Sequence, residues 1–450
     1  MKKAFYFIGF IILVVFSFFA CKTEDDDVAV PNSFTVTFYA NGGIMSNGDN
    51  DNLNQKTYTV EYGSKVRPDS EEFGLTRDGF TFKGWAESPS ATDSDFFDTV
   101  EIIVRSTLSL YAVWQENSTF TYYVSNTGND STGNGSEKSP YATLSKAIER
   151  ITTSDIYTFY VSGVISDNVL FQDSRLNQIS AKSIIIEGKT DAKTDAIESV
   201  KDSSAISIRT SVPLIIKNLT LRNGRGTAVA SGTQGGAVYI ENSSNELATV
   251  SFVSVIFEGN SAFYGGAVYN AGREVSFTSC TFTNNSSMKT GGGIYNEGLV
   301  TVLGGNFSKN EAIENGGAIY NKNSLSIENS RIFENSSNDK GGGIYNVGTF
   351  TVKTSTISEN KARSGGGIYS KLGTVNHESV SLSKNSANED GGALYIEGGS
   401  FFVLDGIMTE NSAEKGSAIY NNANLTINGG EISNHTGVSP IYNDISGKFS

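Results

Sequence analysis

Cysteine is nearly absent from this 450-residue chain, which has only Cys21 and Cys280, so disulfides cannot be what holds it together. Histidine is as scarce: His377 and His435 stand well apart, which argues against a His-based metal site or nucleophilic triad. Cationic charge is also short. Against 48 Asp and Glu there are 34 Lys and Arg, a net charge of −14 with no basic stripe. That balance argues against a nucleic-acid partner, because such binders neutralise phosphates with clustered cations. Proline stands at 6, whereas Gly reaches 48, Tyr 20 and Phe 27, a composition suited to many short strands joined by tight turns. The length exceeds one ordinary core, so several domains or one repeat array are the alternatives.

Lys2 and Lys3 precede an uncharged apolar run from Ala4 to Phe19, followed by Ala20 and Cys21, the layout of an export signal. A Cys directly after such a run resembles a bacterial lipoprotein signal, although Phe18 and Phe19 stand where a Leu and a small residue are usual. The resemblance implies that residues 1–20 are removed and that the Cys21 thiol is acylated. Residues 21–33, with the polar run Lys22 to Asp27, then form a tether. Each buried methylene of an acyl chain contributes about 0.8 kcal/mol, so a multiply acylated Cys21 holds the chain to a membrane without a spanning helix. The alternatives are an ordinary cleaved signal with an incidental Cys, or an uncleaved anchor helix. No later segment is apolar enough to span a bilayer.

Residues 34–116 read as a small strand-rich module. Apolar and polar residues alternate from Phe34 to Tyr39, and Asn41-Gly42-Gly43 supplies the turn. Strands are also expected at Tyr58 to Tyr62, around Phe80-Thr81-Phe82, and from Leu108 to Trp114. The segments FTVTFYANGG, VEYGSKV, LTRDGFTFKGWAESPSA and LSLYAVW resemble the Listeria–Bacteroides repeat, which implies a β-grasp-like spacer or protein-interaction unit. Trp85 and Trp114 suit ligand stacking in principle. Core burial is the expectation, since so small a module needs its largest apolar groups inside.

From residue 118 to 450 the reading is a repeat array. A helix near 143–151, with Thr143 as N-cap and Leu144, Ala147, Ile148 and Ile151 on one face, is expected to cap the strand ends. Asp130, in the preceding Gly/Asn/Ser-rich loop, is read as a turn residue rather than a metal ligand. The segment YYVSNTGNDSTGNGSEKSPYATLSKAI resembles the start of many pectate-lyase-like β-helix proteins.

Beyond it, a Gly-Gly-Ala/Gly-aliphatic-Tyr block recurs at Tyr239, Tyr269, Tyr295, Tyr320, Tyr345, Tyr369 and Tyr395. A second block, apolar-x-x-Asn, ends at Asn260, Asn285, Asn310, Asn335, Asn360, Asn385 and Asn411, with spacings of 25, 25, 25, 25, 25 and 26 (for example 285 minus 260). A period of this length with strand runs, Gly or Asn turns and no helical pattern is one coil of a β-solenoid. The fold class is therefore all-β: a right-handed parallel β-helix of about 25 residues per coil, preceded by the small module.

Three strands are expected in each coil. Stacking in register turns each column into a ladder with a spacing of about 4.8 Å. Val238, Val268, Ile294, Ile319, Ile344, Ile368, Leu394 and Ile419 should point inward, and the period of two sends the tyrosines outward. The paired glycines supply a bend where a side chain would collide. The recurrent Asn should bond from coil to coil through its amide while tolerating a left-handed turn. The motifs GGAVY, GGGIY and GGAIY with FEGN, FTNN and FSKN resemble the repeats of chlamydial polymorphic outer membrane proteins. That resemblance implies adhesion. No membrane-barrel pattern of long alternating strands follows the array, so anchoring is expected to fall to the N-terminal lipid.

Parallel β-helices also house pectate lyases and polygalacturonases, and their chemistry needs facing carboxylates or a base beside metal-bound acids. No paired Asp, Gly-His-Gly or Arg-Ile-Lys element occurs in the array, and Glu258, Glu334, Glu359 and Glu410 fall at variable turn positions. Neither catalysis, a cofactor nor a metal is expected. Cys280 reads as a small buried hydrophobe. The outward column Tyr269, Tyr295, Tyr320, Tyr345, Tyr369 and Tyr395 is the candidate contact surface, with sheet stabilisation as its alternative role. The expected protein is a lipid-anchored bacterial surface protein, at the outer membrane, that contacts a host or cell-surface protein or glycan. A polysaccharide lyase or hydrolase, and a passive surface spacer, are the competing readings.

Overall fold

The computed structural model describes residues 33–46, 53–77, 79–98, 100–172, 176, 181–200, 202–242, 249–437, 439–444 and 448–449. The export signal, the tether start and Cys21 lie outside them. The chain divides into two compact units, meeting between Asn117 and Ser118.

In the first unit, β1 (Ser33–Tyr39), β2 (Gln55–Glu61), β3 (Phe80–Ala86) and β4 (Leu108–Glu116) form one sheet in the order β2-β1-β4-β3. The central pair β1 and β4 is parallel and both outer pairings are antiparallel. Alternation sends Val36 and Phe38 into the core, where Phe38 meets Phe73 and Trp85 at 5.1 and 5.0 Å between ring centroids. Trp85 is fully buried, and the half-buried Trp114 donates its indole N–H to the Ala40 carbonyl at 2.9 Å. Both tryptophans are core residues of this module.

The second unit is a right-handed parallel β-helix. Three long sheets run through it: eleven strands from Val169–Gln172 to Ile441–Asn443, thirteen from Thr119–Ser125 to Lys448–Phe449, and eleven from Val164–Ser166 to Glu431–Ser433. Register is strict, as in Ile294↔Ile319, Tyr295↔Tyr320 and Asn296↔Asn321. The expected aliphatic column from Val238 to Ile419 is fully buried. Each such side chain contributes about 1.5–3 kcal/mol on burial. A fourth, short strand follows the Asn corner in the middle coils, building an eight-stranded sheet that contains Ser286–Thr290 and Glu311–Ala312. These residues lack an apolar alternation, so periodicity gave no sign of them.

The cap is shorter than expected. Helix α1 covers Leu144–Ala147, and Ile148–Arg150 tighten into a 3-10 turn. Thr143 is the N-cap, its hydroxyl accepting from the Lys146 N–H at 3.1 Å. Leu144, Ala147, Ile148 and Ile151 all join the β-helix core. Asp130 is a structural anchor for this start: its carboxylate accepts from the Ala142 and Thr143 N–H groups at 2.8 and 3.1 Å and from the Thr143 hydroxyl at 2.8 Å.

Candidate functional site

The Asn column is a continuous chain of amide hydrogen bonds. From Asn260 to Asn411 each Nδ2 donates to the Oδ1 of the next coil's Asn at 2.9–3.0 Å, and all seven residues are fully buried. The same Oδ1 accepts the backbone N–H, as from Asn310 to Asn335 at 2.9 Å, and the second amide proton goes to a carbonyl such as Phe282 at 2.9 Å. The side-chain amides of the ladder are thereby satisfied inside the buried corner.

The structure corrects one detail. The left-handed residue is the one before the ladder Asn: Asn284, Lys309, Glu334, Glu359, Lys384 and Glu410 have φ between 54° and 57°. The ladder Asn must aim its amide along the stack, so its predecessor makes the turn. His435 extends the column beyond Asn411, its Nδ1 accepting the Asn411 N–H at 3.2 Å while Nε2 bonds the Met408 carbonyl at 3.0 Å. That pairing places the ring proton on Nε2, and burial pushes the imidazole pKa down.

A second asparagine ladder escaped the sequence reading. Asn270, Asn296, Asn321 and Asn346 pass their Nδ2 protons to the next Oδ1 at 3.0, 2.9 and 2.8 Å. Its signal was present: Asn directly follows the recurrent Tyr at all four positions. Ser370 and Ile396 interrupt it before Asn421 and Asn443 resume the pairing at 2.6 Å.

The tyrosines do leave the main core, yet they are not the open surface expected of a contact ladder. Tyr269, Tyr295, Tyr345 and Tyr369 are 7%, 9%, 5% and 2% exposed, and Tyr320 and Tyr395 are half-buried. Consecutive rings from Tyr269 to Tyr420 stack at 4.6–5.3 Å and within 9° of parallel. Each face is thus taken by the neighbouring coil's ring, and only ring edges and hydroxyls remain for a partner. Charged side chains roof the column: the Lys340 ammonium sits 4.7 Å from the Tyr369 ring centroid and 3.6 Å from the Glu397 carboxylate. Burial pushes the phenol pKa values of Tyr269, Tyr295, Tyr320, Tyr345, Tyr369 and Tyr395 upward.

The turn acids are solvated. Exposed Glu334 and Glu410 pair loosely with Lys309 and Lys384 at 3.8 and 3.9 Å. Along this corner runs an open concavity of about 670 Å³, lined by Lys309, Glu334, Asn335, Ser336, Glu359, Lys361 and Lys384. Cys280 is fully buried, and burial pushes its thiol up to about 12, well away from the reactive thiolate.

Residues 34–113 match the Listeria-Bacteroides repeat domain. The array carries Chlamydia polymorphic membrane protein repeats. Four stretches match that model, residues 279–297, 304–322, 354–371 and 379–397, each spanning an Asn corner, the strand before it and the following Gly-Gly-Ala/Gly-aliphatic-Tyr strand. No curated protein matches the chain. Among solved structures, a rhamnogalacturonan lyase aligns at 13% identity with a TM-score of 0.34, covering 65% of this chain and 82% of its own. A GH136 lacto-N-biosidase from Eubacterium ramulus aligns at 11% identity with a TM-score of 0.25, covering 72% and 68%.

Proposed function

We propose that this chain is a lipid-anchored bacterial surface protein whose β-helix makes adhesin-like contacts with a host or cell-surface protein or glycan. The observation that carries the reading is the set of four polymorphic membrane protein repeats within one unbroken, in-register array. The anchor is Cys21. Among the described residues no helix is long and apolar enough to cross a membrane, and the acyl group supplies the attachment. With the tyrosine faces occupied, the contact falls to the charged corner concavity, where Lys309, Lys361 and Lys384 stand exposed.

Purified protein is to be screened on glycan and matrix-protein arrays, with polyuronate cleavage assayed in parallel. Binding without cleavage is expected, and reversing all three charges with Lys309→Glu, Lys361→Glu and Lys384→Glu should weaken it by about tenfold or more, at up to about 1 kcal/mol for each exposed charge. Polysaccharide cleavage abolished by one acidic substitution would overturn the assignment in favour of an enzyme. Labelled palmitate incorporated in cells should disappear with Cys21→Ser, and incorporation that persists would remove the anchor from the proposal.

A further inference from the structure

The outer column of rings is tyrosine in every coil from Tyr239 to Tyr442. Stacking alone does not require a hydroxyl. Inside the same coils, Phe257, Phe282 and Phe307 stack at 4.4 Å without one. A phenol held in a nearly closed column must find a hydrogen-bond partner or lose stability. Several of these phenols find carboxylates: Tyr269 and Tyr295 both donate to Glu297 at 3.3 Å, Tyr369 donates to Glu397, and Tyr420 donates to Asp444 at 3.1 Å. The paired rings are linked by a stack whose centroid steps never exceed 5.3 Å between Tyr269 and Tyr442.

A phenol gives up an electron readily only as its proton leaves, because the oxidised ring is a strong acid. A carboxylate already accepting that proton, beside rings in van der Waals contact, is the arrangement proton-coupled oxidation needs. We propose that the tyrosine ladder is a redox element that accepts an oxidising equivalent at one ring and shares it along the stack. The oxidant is a diffusible one-electron species stronger than a phenoxyl radical, of the peroxide-derived radical class. In the first step it removes one electron from Tyr369, the phenolic proton passes to the Glu397 carboxylate, and the oxidant leaves reduced by one electron. The Tyr369 radical then takes an electron through the intervening Tyr395 from Tyr420 and recovers its proton from Glu397. The Tyr420 proton passes to Asp444, so the radical has moved and charge is conserved. A small thiolate closes the cycle by returning an electron while Asp444 returns the proton. Thiyl radicals formed in this way couple to a disulfide.

The test uses the full chain carrying Cys21→Ser, with a ruthenium polypyridyl photo-oxidant attached through Lys371→Cys, an exposed position two residues beyond Tyr369. Amino-tyrosine incorporated at position 295, a more easily oxidised ring, serves as the trap. After a flash, the trap is expected to oxidise. Tyr320→Phe with Tyr345→Phe preserves the stack but removes the oxidisable rings, and should slow trap oxidation at least about tenfold, the effect of about 1.36 kcal/mol of added barrier. Trap oxidation unchanged in that double variant overturns the proposal, because the hole would then be travelling by another route. Glu397→Gln provides the second arm. It should lower the yield of the Tyr369 radical by electron paramagnetic resonance, and an unaltered yield would remove the carboxylate from the mechanism.

Discussion

His377 occupies a core column that runs through Phe252, Phe277, Val302, Ile327, Val352 and Val403. It is fully buried and neither ring nitrogen closes a hydrogen bond. Burial pushes its pKa down to about 4, against a slight opposing pull from nearby backbone carbonyls and the Asp405 carboxylate. The unfolded chain takes up a proton as pH falls through about 6.5, whereas the folded chain does so only near 4. The contribution of His377 to stability is therefore full above pH 6.5, declines between those values and levels off below them, a loss of about 1.4 kcal/mol per unit within the window. Urea midpoints of the wild type and His377→Phe, compared at pH 7 and pH 4.5, should diverge, with the Phe variant losing less. Equal losses would show that carboxylates elsewhere set the acid response. The sequence argued against this histidine as a metal ligand or triad member, and its alignment with Val352 one period earlier was enough to place it inside.

At the scale of strands and turns, the glycine pair shows what a repeat motif encodes. The first Gly takes a left-handed backbone, as Gly316 does at φ 68°, and the second makes room. A Cβ on Gly317 would lie 2.2 Å from the Gly342 carbonyl oxygen and 2.5 Å from that of Ser336, both backbone atoms of the next coil. Gly304, also left-handed at φ 66°, has open space, its nearest neighbour being the Ser279 hydroxyl at 3.6 Å. Gly304→Ala should cost about 1–2 kcal/mol through backbone strain alone. Gly317→Ala should cost more, because overpacking against fixed backbone adds about 1–3 kcal/mol or a displaced coil. Denaturant unfolding that ranks the two the other way would refute the steric account. The inward aliphatic column, the Asn ladder and the Thr143 cap were legible because each rests on a local period or cap chemistry. The enclosure of the tyrosines was not, since alternation gives a side chain's direction and says nothing of the charged roof contributed by Lys340 and Glu397.

At the scale of the whole array, the strands of each coil pair only with those of adjacent coils, so stability is distributed along the stack rather than held in common. One stretch has less of it. Ser370 and Ile396 replace the second ladder's asparagines, the offset along the aliphatic column shortens to 24 residues (368 minus 344), and His377 lies between them. Amide hydrogen exchange should be faster for the strands Ile368–Ser370 and Leu394–Ile396 than for Ile294–Asn296 and Ile319–Asn321. Uniform protection would show that the remaining Asn column compensates in full. A pile of near-identical parts ordinarily offers no preferred place to come apart. By omitting two rungs of one ladder, this chain is expected to acquire a perforation line, at which pulling or a protease would detach the later windings and leave the earlier ones standing.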